Sequence, residues 1–312
     1  MSVVFLGTSD FAAAILARLA ERPEHRPTLV LTRPDRPRGR GRRLSAPPVA
    51  ERARELGLRL AQPENVNDGA VAEQIAGERP GAVVVCAFGA LIEEPLLSEH
   101  LLLNVHPSLL PRWRGAAPVE RAIMAGDERT GVSIMRLTAG LDSGPVCFAG
   151  SEAIARNDTY GSLAPRLEGL GAELLLRALD ELAAGRALGF REQEESGVTY
   201  AEKIGAPDRL LDPARRAGEL ERVVRALHPH IGARAELPDG GYLGVHEAHV
   251  ADPGLLEQAV AGDGASGLVA VDGRLLLPTE GGEALDLLVV QPPGGRAMEA
   301  AAYLRGHGLP RA

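Results

Sequence analysis

The chain is short of lysine, cysteine and aromatic residues, and each shortage excludes something. Lys203 is its only lysine, so nearly all of its positive charge sits on arginine. Acidic side chains outnumber basic ones, 42 to 34, for a formal net charge of -8. That balance argues against a protein that holds nucleic acid by bulk charge, while leaving room for a local basic patch. Cys86 and Cys147 stand in apolar contexts without metal-type spacing, and both are expected as buried, reduced thiols. Aromatic residues make up 3% of the chain, and Trp113 is the single tryptophan. No apolar run approaches the roughly 18 residues a membrane span needs. The opening "MSVVFLGTSDF" has neither a positive stretch nor a cleavage site, so no secretory leader is expected and a cytoplasmic location is. Its "GTSDF" carries one glycine where the dinucleotide fingerprint wants three, so no NAD site is expected.

What is present is length and rhythm. At 312 residues the chain has room for two cores. "VVFLG" reads as a short apolar strand, with Ser9 or Asp10 capping the helix "FAAAILARLAER". "TLVLTR", "LRLAQP", "GAVVVCAFG", "LLLNVH" and "TGVSIMRL" follow as strands, and "PPVAERARELG", "DGAVAEQIAGERP" and "GAAPVERAIMAGD" lie between them as helices. A long helix is expected near Tyr160–Ala184. The β-α-β alternation implies a doubly wound, mostly parallel sheet, in which ligands sit beyond the carboxyl ends of the strands. From about Phe190 the periodicity fades into a linker. One amphipathic helix, "ARRAGELERVVRALHP", then leads into short strands separated by Gly- and Pro-bearing turns, the pattern of a small antiparallel barrel.

One strand ends in polar residues. In "LLLNVHPSLLPRWRGAAP", Asn104 and His106 are two apart, so both side chains emerge on one face. Asp142 lies in the glycine-flanked loop "TAGLDSGP" after the next strand and reaches the imidazole if the two strands are neighbours. An amide donor, a titratable ring and a carboxylate suit attack by an amine on a carbonyl or formamide carbon. The donor stabilises a developing oxyanion, the ring moves the proton, and the carboxylate orients the ring. The paired carboxylates Glu93-Glu94 and Glu194-Glu195 read as solvated. His228, His230, His246 and His249 have no carboxylate or thiol spacing beside them, so no metal site is expected.

A second feature is the run "RPDRPRGRGRR", which sets Arg33, Arg36, Arg38, Arg40, Arg42 and Arg43 against Asp35 alone. Two prolines and two glycines argue against a regular element there. Six guanidinium groups in eleven residues repel one another without counter-ions, and a polyanionic partner is the economical explanation. Arg215, Arg216, Arg222 and Arg225 fall at helical spacing in the second domain, where acidic residues otherwise exceed basic ones.

The words "NVHPSLLPRWRGAAP" and "GVSIMRLTAGLDSGPV" resemble the formyltransferases that use 10-formyltetrahydrofolate. "SLLPRWRGAAPVERAI", "FLGTSDFA", "RPDRPRGRGRRLSAPPV" and "TYAEKI" are similar to the branch acting on methionyl-tRNA. The resemblance implies that Asn104, His106 and Asp142 form the catalytic set, with Asn104 and protonated His106 polarising the formyl group. It implies that Ser108, Leu109, Leu110 and Pro111, together with Phe88, Gly89, Leu91 and Ile92, line the pocket for the folate co-substrate. It also implies that Arg36, Arg38, Arg40, Arg42 and Arg43 meet the acceptor arm of the initiator methionyl-tRNA. The expected reaction moves a formyl group from 10-formyltetrahydrofolate to the amino group of methionyl-initiator tRNA, without a metal and in a monomer. Formylation of a small amine, an amino sugar or a purine precursor, is the alternative within the same chemistry. A non-catalytic folate- or nucleotide-binding module is the alternative outside it. The fold expected is a Rossmann-like α/β domain (residues 1–188), a linker (189–208) and a smaller OB-like β-barrel domain that binds tRNA (209–312).

Overall fold

Val3–Gly7 (β1) is buried at all five positions, as an apolar strand without polar alternation must be. Gly7 ends it where a side chain has no room: a Cβ there meets the Phe5 ring at 2.7 Å and Ala12 Cβ at 2.8 Å. Ser9 then caps Asp10–Ala20 (α1), its hydroxyl accepting the Ala12 N–H at 3.3 Å. The computed structural model describes residues 1–38, 43–253, 255 and 267–307.

The chain divides into two units. The first takes Met1–Pro118, Arg129–Ala153 and Ala164–Ala201. Its strands after β1 are Leu29–Leu31 (β2), Arg36–Arg38 (β3), Arg43–Ser45 (β4), Leu60–Ala61 (β5), Ala82–Cys86 (β6), Leu102–His106 (β7), Arg114–Gly115 (β8), Arg129–Arg136 (β9), Val146–Ala153 (β10) and Tyr200–Ala201 (β11). Helices Pro48–Glu55 (α2), Gly69–Gly77 (α3) and Leu96–Glu99 (α4) lie between them. Pro118–Ala125 (α5) and Tyr160–Ala183 (α6) follow in sequence. The main sheet has the order β10-β9-β7-β6-β1-β2-β5. It is parallel from β7 to β5, while β9 runs antiparallel to β7 and β10 antiparallel to β9. This is the doubly wound, mostly parallel sheet the alternation implied. Cys86 is buried as expected, and burial pushes its thiol far up; Cys147 is only partly buried, because β10 is an outer strand, and its thiol is pushed up to about 11.

Three features depart from the sequence reading. β10 has no expected counterpart: it is an outer strand whose eight residues are partly or fully exposed, so it lacks the apolar run that marks its buried neighbours. The arginine-rich run is not irregular throughout. β3 and β4 pair antiparallel, with Arg36 opposite Ser45 and Arg38 opposite Arg43, because a two-stranded ladder tolerates Pro37 at an edge. The stretch after Phe190 is tied into the first unit, with Arg191 bridging Val146 and β11 pairing parallel with β8.

The second unit takes Val119–Glu128, Ile154–Leu163 and Glu202–Ala312. Ala217–Leu227 (α7) buries Leu220, Val223, Val224 and Leu227, one stripe at helical spacing. The stripe packs in one cluster with Leu243, Val245, Leu285, Leu287 and Val290, at roughly 1.5–3 kcal/mol of burial for each large side chain. Strands Ala233–Glu236 (β12), Tyr242–Val250 (β13), Val269–Val271 (β14), Arg274–Thr279 (β15) and Glu283–Gln291 (β16) form an antiparallel ladder in the order β12-β13-β16-β15-β14. Met298–Glu299 (β17) pairs with β16, and Ala300–His307 (α8) follows. Beside α7 and β13 lies a cavity of about 860 Å³, lined among others by Arg156, Glu221, Arg225, His228, His246 and His249. Among the described residues no helix is long and apolar enough to cross a membrane.

Candidate active site

β7 is buried along its whole length, yet two of its five residues are polar: Asn104 is 7% and His106 4% exposed. Burying an amide and an imidazole costs free energy unless each finds partners. Asp142 supplies them from the loop between β9 and β10. Its Oδ1 accepts the Asn104 Nδ2 hydrogen at 3.2 Å, and its Oδ2 lies 3.6 Å from His106 Nδ1. The same Oδ2 accepts the Gly115 backbone N–H at 2.8 Å, so the carboxylate is gripped from three directions. At the other end of the ring, Nε2 faces the Trp113 carbonyl at 2.8 Å. A carbonyl only accepts, so Nε2 carries hydrogen, and the ring sits between an acceptor and an anion. Strand register delivers this convergence: Asn104 pairs with Met135 of β9 and His106 with Ser133, which makes the two strands neighbours.

The backbone around these groups is strained. Trp113 has φ +63° and Asp142 φ +42°, and Ala87, just past the end of β6, has φ +41°. Residues with side chains avoid this region at roughly 1–3 kcal/mol each, and such outliers gather where function over-determines the chain.

The residues implied for the folate pocket are placed in two ways. Ser108 is fully buried; its hydroxyl donates to the Arg112 carbonyl at 2.7 Å, and its own carbonyl accepts from Ser133 Oγ at 2.8 Å. Ser133 Oγ also accepts the Leu110 N–H at 3.2 Å, so the turn carrying Leu109, Leu110 and Pro111 is pinned to β9. After β6 the chain alternates. Phe88 and Ile92 point into the core of the first unit, packed with Val4, Leu6 and Val85, whereas Gly89 and Leu91 are exposed. The backbone N–H groups of Gly89, Ala90 and Leu91 donate no hydrogen bond among the described residues. Peptide donors beside apolar side chains suit a polar heterocycle with flat apolar faces, and here the exposed groups are backbone, while Phe88 and Ile92 are turned into the core.

Of the arginines implied for tRNA, Arg36 is exposed on β3. Arg38 and Arg43 pair across the hairpin, and Arg40 and Arg42 lie outside the described residues. The second unit holds five histidines, His228, His230, His246, His249 and His307, of which His228, His246 and His249 share the lining of its cavity. His230 meets Glu120 at 2.9 Å, His246 meets Gln291 at 2.9 Å, and His249 lies 3.5 Å from Glu221.

Sequence reasoning missed Gln193, Thr199 and the main-chain groups of Trp113 and Gly115. Thr199 Oγ1 accepts the Trp113 N–H at 2.9 Å, and Gly115 is pressed so closely to Ala201 that a Cβ would lie 2.8 Å from its carbonyl oxygen. Main-chain partners leave no trace in residue type. The "TYAEKI" segment was the one signal for Thr199 and Ala201.

The model of the formyl transferase family matches residues 1–179, and that of the formyl transferase C-terminal domain residues 203–308. The methionyl-tRNA formyltransferase of Methylococcus capsulatus is 42% identical over 311 residues, 99% of this chain and 98% of that one. Its counterpart from Halorhodospira halophila is 43% identical over 312 residues, 98% of this chain and 96% of that one. Among solved structures, the N-formyltransferase of Helicobacter canadensis in complex with folinic acid and dTDP-3-aminofucose superposes with a TM-score of 0.63 at 12% identity, covering 91% of this chain and 98% of that one. HypX of Aquifex aeolicus in complex with tetrahydrofolic acid does so with a TM-score of 0.62 at 17% identity, over 98% of this chain and 47% of that one. At such identities the likeness is one of fold.

Proposed function

The chain belongs to the formyl transferase family, and from that premise we propose how its residues act. It transfers the formyl group of 10-formyltetrahydrofolate to the amino group of methionyl-initiator tRNA, giving the formylmethionyl-tRNA that starts translation. One observation carries the site assignment: a single carboxylate, Asp142, accepts from the Asn104 amide and lies 3.6 Å from the His106 ring at the end of β7.

The folate co-substrate supplies the formyl carbon, and the methionyl amine is itself the nucleophile, so no side chain of this protein has to be acylated. Asn104 donates one amide hydrogen to Asp142 and keeps the other for the oxygen that gains charge as the amine attacks. His106 is the proton-handling group. The Asp142 carboxylate lies 3.6 Å from Nδ1, and the Trp113 carbonyl fixes the ring's orientation at Nε2. Ser108 and Ser133 hold the turn from Leu109 to Pro111, and the exposed backbone from Gly89 to Leu91 binds the co-substrate. The arginine-rich run, with Arg36, Arg38, Arg40, Arg42 and Arg43, takes the phosphates of the acceptor arm, and the second unit assists in holding the tRNA. The catalytic role belongs to residues 1–188 and the tRNA-binding role to 209–312, joined through 189–208. A monomer in the cytoplasm suffices for this reaction.

The test is direct. Incubating the protein with 10-formyltetrahydrofolate and methionylated initiator tRNA yields formylmethionyl-tRNA, read out by acid-stable label on the amino acid. Formyl transfer to a free amino sugar, with none to the tRNA, overturns the reading of the substrate.

A further inference from the structure

Gln193 lies outside every element of the sheet, 51 residues from Asp142, yet both hydrogen bonds that its amide nitrogen donates close on the Asp142 loop. Its Nε2 donates to the carbonyl oxygen of Asp142 at 2.8 Å and to that of Gly144 at 2.7 Å. Its Oε1 accepts from Arg114 twice, from Nε at 3.0 Å and from an Nη at 2.8 Å. Two donors and one acceptor on a planar amide are thereby used at once, which no other uncharged side chain of that length supplies except as a flipped copy of itself. Arg114 precedes Gly115, whose N–H holds the Asp142 carboxylate. Gln193 therefore grips the catalytic loop at its main chain and, through Arg114, the segment that grips its side chain.

We propose that Gln193 is a positioning residue for formyl transfer, holding Asp142 in its left-handed conformation and so keeping the carboxylate on Asn104 and His106. The proposal rests on the catalytic reading of those three residues. The physical need is specific. Asp142 at φ +42° is in a conformation its own backbone resists, and the exposed neighbour Leu141 offers no burial to hold the loop down. Something must compensate, and two amide hydrogens on nearby turn carbonyls do so at the affected residues. In this role Gln193 touches neither the amine nor the formyl donor. Its loss acts only through the geometry of Asp142.

The experiment compares Gln193→Glu and Gln193→Met with the unaltered protein, using methionylated initiator tRNA and 10-formyltetrahydrofolate as substrates. Gln193→Glu keeps an acceptor for Arg114 but turns both donors into acceptors facing carbonyl oxygens. Gln193→Met keeps the volume and removes every hydrogen bond of the amide. Both are expected to lower kcat about 10–100-fold, the scale of an ångström-level misplacement. KM for either substrate should stay within about twofold, because no group that binds substrate is removed. Thermal melting of each variant corrects kcat for the folded fraction. A kcat within about twofold of the parent in the folded fraction of Gln193→Met overturns the proposal, as does a rise in KM with kcat preserved. His106→Ala, run in parallel, separates the two levels. If it retains full turnover, the catalytic reading fails on its own. If it is inactive while Gln193→Met is fully active, only the positioning role fails.

Discussion

The molecule holds two gatherings of imidazole and charge, one in each unit, and they differ in how their polar atoms are used. At the end of β7, each group has its partner: Asp142 meets Asn104, His106 and the Gly115 N–H, and His106 meets Trp113. Beside α7 and β13, the lining of the cavity of about 860 Å³ is richer in histidine. There charges of both signs share the lining, Arg156 and Arg225 with Glu221 and Glu247, and His249 lies 3.5 Å from Glu221. His228 Nδ1 and Arg225 Nε are buried without a hydrogen bond among the described residues. Open space thus marks one place and converging chemistry another. On the proposed reading reactivity belongs to the convergence, because an oxyanion donor, a proton carrier and a counter-charge work only at close range of one another.

The sharpest way to break this contrast is His106→Ala, which should lower kcat about 10²–10⁴-fold, the range for removing a proton-transfer group. Folate affinity, measured by fluorescence titration, should stay near the parent value. An enzyme that keeps its turnover after this change does not use the convergence at β7. Asn104→Ala comes next, at about 10²–10³-fold in kcat for a missing oxyanion donor; single-turnover rates distinguish it from a slow release step. A smaller effect is expected from Arg40→Ala combined with Arg42→Ala. Affinity for tRNA should weaken, and the slope of log K against log salt should flatten by about 0.7–0.9 for each phosphate no longer neutralised. A salt slope identical to the parent's would remove Arg40 and Arg42 from the tRNA interface.

The smallest effect concerns the second gathering. Burial holds the His228 imidazole below its ordinary value of 6.5, and nearby His246 and His230 push the same way against Glu247. Above that value the ring is neutral in both folded and unfolded chains, and it contributes no pH dependence. As pH falls below it, the unfolded chain takes up the proton first, so stability declines until the folded ring also titrates. His228→Gln should therefore lessen the loss of melting temperature between neutral and mildly acidic pH, with kcat unaltered. A steeper loss in the variant contradicts this assignment.

What was legible beforehand follows the same division. β7 was readable because period-two alternation places Asn104 and His106 together whatever surrounds them. Asp142 was readable from its glycine-flanked loop once its neighbour strand was recognised. β10 escaped because Gly150, Ser151 and Glu152 in an exposed outer strand resemble a loop in composition. Gln193 escaped for a deeper reason. Its role depends on chain closure across 51 residues, and its partners are carbonyl oxygens that every residue possesses. The hairpin of β3 and β4 was obscured by Pro37, which forbids a central strand but not an edge one.

Trp113 carries one last consequence. A bulky residue at φ +63° is a conformational debt, and glycine at that position would relieve it. The relief would loosen the carbonyl on which the imidazole leans. Evolution toward a hardier fold and evolution toward a faster catalyst therefore pull this residue in opposite directions, so heat-tolerant variants selected without regard to turnover should accumulate changes at this bend.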